Sequence, residues 1–149
     1  MATRRFIAAA LSAAMLAAAP SAVHVPQARA VATGSIVFAT ERDGVFELSG
    51  LPAPEIYAMD ASGAGLTRLT DNTARDENPA LSPDGSKIAF ASDRDGNDEI
   101  YVMDVSGANQ TRLTNDPGSD GRASWSPDGN QIVFVSNRNG EQEIFVMDA

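Results

Sequence analysis

From residue 35 onward the chain alternates short apolar runs with clusters of Gly, Pro, Asp, Asn and Ser. The stretch 78–114, NPALSPDGSKIAFASDRDGNDEIYVMDVSGANQTRLT, shows the pattern most fully. Leu81-Ser82 ends a first strand. Ser82-Pro83-Asp84-Gly85 is a turn, in which Pro presets φ and Gly takes the left-handed position. Residues 87–92 form a second strand. Arg94-Asp95-Gly96-Asn97 is hairpin chemistry between two apolar runs. Residues 99–104 form a third strand, Ser106-Gly107-Ala108-Asn109 turns the chain, and 110–114 form a more polar fourth strand suited to an edge. Ile88-Ala89-Phe90-Ala91 and Ile100-Tyr101-Val102-Met103 are apolar at every position. Strands with one wet face alternate instead, so these are expected between two neighbouring sheets.

Most of the unit recurs at an interval of 44 residues. Ser82-Pro83-Asp84-Gly85 returns as Ser126-Pro127-Asp128-Gly129, and Ile100-Tyr101-Val102-Met103-Asp104 as Ile144-Phe145-Val146-Met147-Asp148. Upstream, Ile56-Tyr57-Ala58-Met59-Asp60 and Leu66-Thr67-Arg68-Leu69-Thr70 precede their counterparts by the same 44. A period in the low forties built of short strands indicates propeller blades. The predicted fold is all-β: a partial β-propeller of about two and a half four-stranded antiparallel blades. It comprises a partial blade at 35–70, a complete blade at 78–114 and a partial blade at 122–149. The strands number three, four and three. Propellers close with about four to eight blades. Three expectations follow: further blades in a longer protein, closure by self-association of copies, or a whole chain that is only marginally folded.

The ordered string W-S-P-D-G, I-x-F-x-S, R-[DN]-G, E-I-[YF]-V-M-D and T-R-L-T resembles the TolB-type β-propeller repeat, a WD40-like repeat found also in the propellers of prolyl-oligopeptidase-like enzymes. The likeness covers residues 35–149. It implies a non-catalytic binding module of the bacterial periplasm or exterior, with a protein partner or further propeller blades as its contacts. The resemblance also admits an alternative: the N-terminal propeller of an exported prolyl-oligopeptidase-like serine peptidase whose hydrolase domain is absent from these residues. The TolB family carries an additional N-terminal α/β domain, for which there is no room between Ala30 and Ser35.

Residues 1–30 follow other rules. Arg4 and Arg5 precede the uncharged, Ala- and Leu-rich run 6–19, and Ala28-Arg29-Ala30 is an A-x-A site. That order is a cleavable secretory signal peptide. The run is short for a membrane span. Thr3-Arg4-Arg5-Phe6-Ile7 leaves a twin-arginine export route open beside the general one. Removal of 1–30 would take away three arginines and no acid, moving the net charge from −9 to −12. So acidic a chain lacks the basic groove that nucleic acid requires and is not drawn to an anionic membrane surface. The single histidine, His24, lies in the leader, and there is no cysteine. A Ser-His-Asp triad, a thiolate nucleophile and a Cys/His zinc site are thereby excluded from residues 31–149. No G-x-S-x-G elbow occurs. The predicted module is not an enzyme and needs no cofactor.

Two sets of residues are candidates for recognition. Between Gly44 and Glu55 the first hairpin carries eight more residues than its counterpart between Gly96 and Glu99. The insertion reads either as a tolerated surface loop or as a contact loop using Phe46, Leu48 and Leu51. The second set breaks the repeat in the connections 71–78 and 115–121: Arg75, Glu77 and, just beyond, Arg122. These connections are expected on one rim of the propeller, near the mouth of the channel. Residues that obey the repeat are assigned to the blade itself: Asp76 and Asp120, and the arginines 42, 94, 138, 68 and 112, read as partners of the turn aspartates. Asp93-Arg94-Asp95-Gly96-Asn97-Asp98-Glu99 places oxygens at alternate positions but fails the EF-hand spacing, which needs Gly sixth and Glu twelfth. It is read as turn chemistry, with no metal assigned.

Overall fold

The computed structural model describes residues 34–42 and 53–149. Residues 1–30, expected to be a signal peptide, and Phe46, Leu48 and Leu51 of the inserted hairpin lie outside the described residues. Ten strands form three antiparallel sheets. The first sheet is β1 (Ser35–Thr40), β2 (Glu55–Asp60) and β3 (Thr67–Arg68). The second is β4 (Asp76–Leu81), β5 (Lys87–Ser92), β6 (Glu99–Asp104) and β7 (Thr111–Arg112). The third is β8 (Asp120–Trp125), β9 (Gln131–Ser136) and β10 (Glu143–Asp148). Neighbours in each sheet are consecutive in sequence, as in a propeller blade. The chain is thus a partial β-propeller, three blades in series.

The register explains why the middle strands are apolar on both faces. Ile88 pairs with Met103, and Phe90 with Tyr101. These four share one face and pack on Ile56 of the first sheet. Side chains alternate along a strand. Ala89 and Ile100 therefore fall on the opposite face, where they meet Ile132 and Phe134 of the third sheet. Both core clusters thus span two neighbouring blades, and a buried Ile or Phe contributes about 1.5–3 kcal/mol.

The outer faces differ from expectation. Ile36 and Ile144 stand in apolar runs like those of the buried strands, yet are 42% and 75% exposed. Ile144 is the repeat counterpart of Ile56 and Ile100, both fully buried. The residue type is the same, but among the described residues no sheet lies against the far side of β10. Ile36 faces away from the second sheet in the same way. Phe38, Met59, Leu69, Leu113, Trp125 and Phe145 are half-buried.

Strand limits differ as well. The outer strands β3 and β7 are two residues long, not five, because their ladder pairs only Tyr57–Arg68 with Ala58–Thr67, and Tyr101–Arg112 with Val102–Thr111. The inner strands begin earlier, at Asp76 and Asp120. Glu77 therefore stands on a strand rather than in a connection. Pro79 has no N–H for the ladder, and the register of β4 shifts between Glu77 and Ala80. The register of β8 shifts at the corresponding place, between Gly121 and Ser124.

Candidate functional site at the rim between the second and third blades

A buried carboxylate paired with an arginine fixes this end of the second and third blades. Asp76, with no exposed surface, accepts from Arg94 Nη2 at 3.0 and 3.1 Å. Asp120, equally buried, accepts from Arg138 Nη2 at 2.7 Å. Each guanidinium also lies over two rings of its own blade: Arg94 over Phe90 and Tyr101, Arg138 over Phe134 and Phe145, 4.5–5.5 Å from the centroids. Arg94 and Arg138 thus serve strand carboxylates, not the turn aspartates expected from sequence. Arg68 and Arg112 follow suit on Glu55 and Glu99. They also reach Asp71 and the hairpin residue Asp95 respectively. The reason is reach: antiparallel pairing brings Asp76, 18 residues away, beside Arg94, and nothing in a linear reading marks that proximity.

Adjacent blades are stitched at the same end. The Asp76 N–H donates to Pro54 O at 2.9 Å, and the Asp120 N–H to Asp98 O at 2.7 Å. Asn97 Nδ2 donates to the carbonyls of Asp116 and Gly118. These bonds hold the hairpin of one blade against the inner strand of the next.

Where the second and third blades meet, a cleft of about 190 Å³ opens. Its walls come from corresponding positions of the two blades. Arg75 faces the same space as Ser119, Glu77 as Gly121, Asn78 as Arg122 and Asp98 as Gln142. In each pair the residue type differs, whereas the ion pairs beneath repeat. The predicted residues Arg75, Glu77 and Arg122 thus line one cleft. Asp98 belongs to it too. Sequence reading had assigned Asp98 to the turn; its departure from the repeat, with Gln142 44 residues later, was the available signal.

The bulges aim two of these side chains. Asn78 and Arg122 are non-glycine residues with φ of 52° and 55°. That left-handed conformation is uncommon for Arg, and bulges on edge strands re-aim side chains. Arg75 is ion-paired to Glu77. Arg122 is exposed and makes no ion pair among the described residues. Burial pushes the Asp98 carboxyl above its ordinary range, against the opposing pull of Arg75 and with the charge of Asp93 adding to the rise.

Stacked antiparallel sheets of three or four strands, with a cleft between adjacent ones, define a propeller-type module. Residues 51–148 match the family described as the tricorn protease N-terminal beta propeller domain, and the chain belongs to that family. It is also similar to TolB proteins. A TolB homolog of Chlorobium chlorochromatii is 48% identical over 40 residues, covering 27% of this chain and 9% of that protein. A TolB-type structure from Agrobacterium tumefaciens is 31% identical, with a TM-score of 0.66 over 76% of this chain and 41% of its own. TolB from Acinetobacter baumannii is likewise 31% identical, with a TM-score of 0.63 over 76% of this chain and 27% of its own. The chain therefore spans less than half the length of each of these relatives.

Proposed function

We propose that the chain is a non-catalytic, exported binding module that engages a protein partner at the rim cleft between its second and third blades. One observation carries the reading. Side chains that depart from the 44-residue repeat, Arg75, Glu77, Asp98 and Arg122, collect in one cleft, while the repeated ones are used up inside the blades. Function placed on a repeat scaffold is expected where the repeat is broken. Export is supported by the basic, apolar and A-x-A order of residues 1–30. Likeness to TolB proteins supports the same bacterial envelope setting, and a protein as the partner. A second reading, the propeller portion of an exported peptidase, is favoured by the family's description alone.

Site-specific photo-crosslinking tests the proposal. A crosslinking side chain replaces Arg122 in the exported protein, and in parallel Thr111 on the outer strand. One discrete adduct is expected from position 122, absent from 111 and lost on Arg75→Glu. Equal labelling at both positions, or indifference to Arg75→Glu, would overturn it.

A further inference from the structure

We infer that the rim cleft seats a basic side chain, a guanidinium or ammonium carried by the protein partner, with Asp98 and Asp120 as its acceptors. The inference rests on the binding reading above and names the chemistry of what enters.

The argument begins with a difference between two corresponding sites. At Asp76 the carboxylate is saturated: besides Arg94, it accepts from Asn72 Nδ2 at 2.7 Å. At Asp120 the only side-chain donor among the described residues is Arg138, on Oδ2, and Oδ1 is buried without a hydrogen-bond partner among them. The missing donor has an identifiable cause. Asp116 stands where Asn72 stands one blade earlier. Its backbone N–H makes the same bond, to Glu99 as that of Asn72 does to Glu55. Its side chain accepts from Gly118 as that of Asn72 does from Ala74. A carboxylate there has no N–H to give. Asp120 lines the cleft, so a donor entering the cleft can supply what the blade does not.

The charges of the lining point the same way. Arg75 is engaged by Glu77, and Arg138 by Asp120 and two aromatic rings. The Asp98 carboxylate lines the cleft, half-buried, with neither a hydrogen bond nor an ion pair among the described residues. Two residues with carboxylate oxygens that lack a donor therefore line one cleft, with Asp120 Oδ1 buried just beneath its surface. Arg122, at the bulge, is left for an acidic group beside the basic one, so the partner segment would carry both signs. The volume suits one long side chain, since pockets for whole small-molecule ligands run to about 300–1,000 Å³.

The test uses the full chain and three probes: N-acetyl-arginine amide, N-acetyl-lysine amide and the neutral isostere N-acetyl-citrulline amide. Binding is followed by amide NMR shifts. The cationic probes are expected to saturate, with shifts confined to Asp98, Gly121, Arg122 and Gln142. Citrulline should bind about tenfold more weakly, the difference expected of a charge-assisted hydrogen bond. Asp98→Asn should weaken the cationic probes by a similar factor. Asp116→Asn restores the donor found at Asn72, so it should weaken the probes while raising the melting temperature. Arg122→Ala should leave cation binding intact or strengthen it. Shifts spread over the acidic surface, no preference over citrulline, or indifference to both Asp98→Asn and Asp116→Asn would overturn the inference. Saturable cation binding without a partner adduct would leave it standing and count against the wider proposal.

Discussion

Trp125 Nε1 donates to the carbonyl of Ala80 at 2.9 Å, joining the last residue of β8 to β4 of the preceding blade across 45 residues of chain. Trp125 replaces Leu81 of the earlier repeat. Its ring packs among Ile132, Phe134 and their neighbours. Trp125→Phe keeps an aromatic ring and removes the donor. It should lower stability by about 0.5–1.5 kcal/mol in urea melts. An unchanged midpoint would show that the bond contributes nothing to holding the two blades together.

The Arg94–Asp76 pair should be far more sensitive. Asp76 has no exposed surface, so Arg94→Met leaves a buried carboxylate with Asn72 as its one remaining side-chain donor. Breaking a buried pair from one side costs about 3–5 kcal/mol. Asp76→Asn in the same background should recover part of that loss. By contrast, Lys87→Met removes an exposed pair with Asp104 and should cost about 0–1 kcal/mol. Equal costs for Arg94→Met and Lys87→Met in denaturant melts would refute the assignment.

These pairs mark the limit of what the sequence discloses. The turns were legible because Ser-Pro-Asp-Gly and Asp-Gly state their geometry locally, and the 44-residue repeat gave the strand count and the order of the sheets. Arg94 was legible as a blade residue, but its partner was not, because pairing across a sheet is not written in the neighbouring letters. The bulges at Asn78 and Arg122 were hidden for a related reason: a left-handed φ at Arg has no signature in residue type. Arg75, Glu77 and Arg122 stood out by breaking the repeat. Asp98 broke it too, yet was masked by the oxygen-rich turn around it.

Two glycines separate backbone strain from steric closeness. Gly85 has φ of 73°, with open space where a Cβ would lie. Gly107 has φ of 87°, and a Cβ there would stand 2.8 Å from the Leu69 carbonyl of the preceding blade. Gly85→Ala should cost about 1–2 kcal/mol, the left-handed penalty. Gly85→Asn should recover most of it, because Asn tolerates that region. Gly107→Ala should cost more, and Gly107→Asn should not recover, since the obstacle is backbone. Parallel thermal melts of the four variants check this; rescue by Asn at both positions would contradict the predicted blade contact.

The Ser-Pro-Asp-Gly turn makes a prediction about acid. Asp84 Oδ1 accepts from Ser82 Oγ at 2.6 Å, from the Ser86 N–H at 3.0 Å and from Ser86 Oγ at 2.8 Å. These donors, Ser82 first, pull its pKa from 3.8 down to about 2. A depressed folded-state pKa means the folded chain binds this proton less readily than the unfolded one. The stabilisation is therefore present above 3.8 and is lost as the pH falls from 3.8 towards 2. A carboxyl NMR titration should place the Asp84 midpoint near 2, and Ser82→Ala should move it upward. A midpoint near 3.8 in the unaltered chain would mean that the turn's hydrogen bonds do not persist in solution.

Ile100 and Ile144 occupy the same position in successive blades with opposite surroundings. Ile100 is fully buried between the second and third sheets, and Ile144 is 75% exposed on the far face of β10 beside Val146, itself 60% exposed. Ile100→Ala removes buried methyl groups and leaves a cavity, which costs about 2–5 kcal/mol. If the face of β10 meets only water, Ile144→Ala should stay within about 0.5 kcal/mol, as surface substitutions do. Covering of that face by a second copy would change both the energetics and the size of the particle. Ile144→Ala would then approach the cost of Ile100→Ala, and Ile144→Asp would lower the mass measured by light scattering, because a charge would be driven against an apolar blade face. Concentration-dependent melting of the unaltered chain, abolished by Ile144→Asp, would establish association through β10. Melting independent of concentration, with Ile144→Ala neutral, would exclude it.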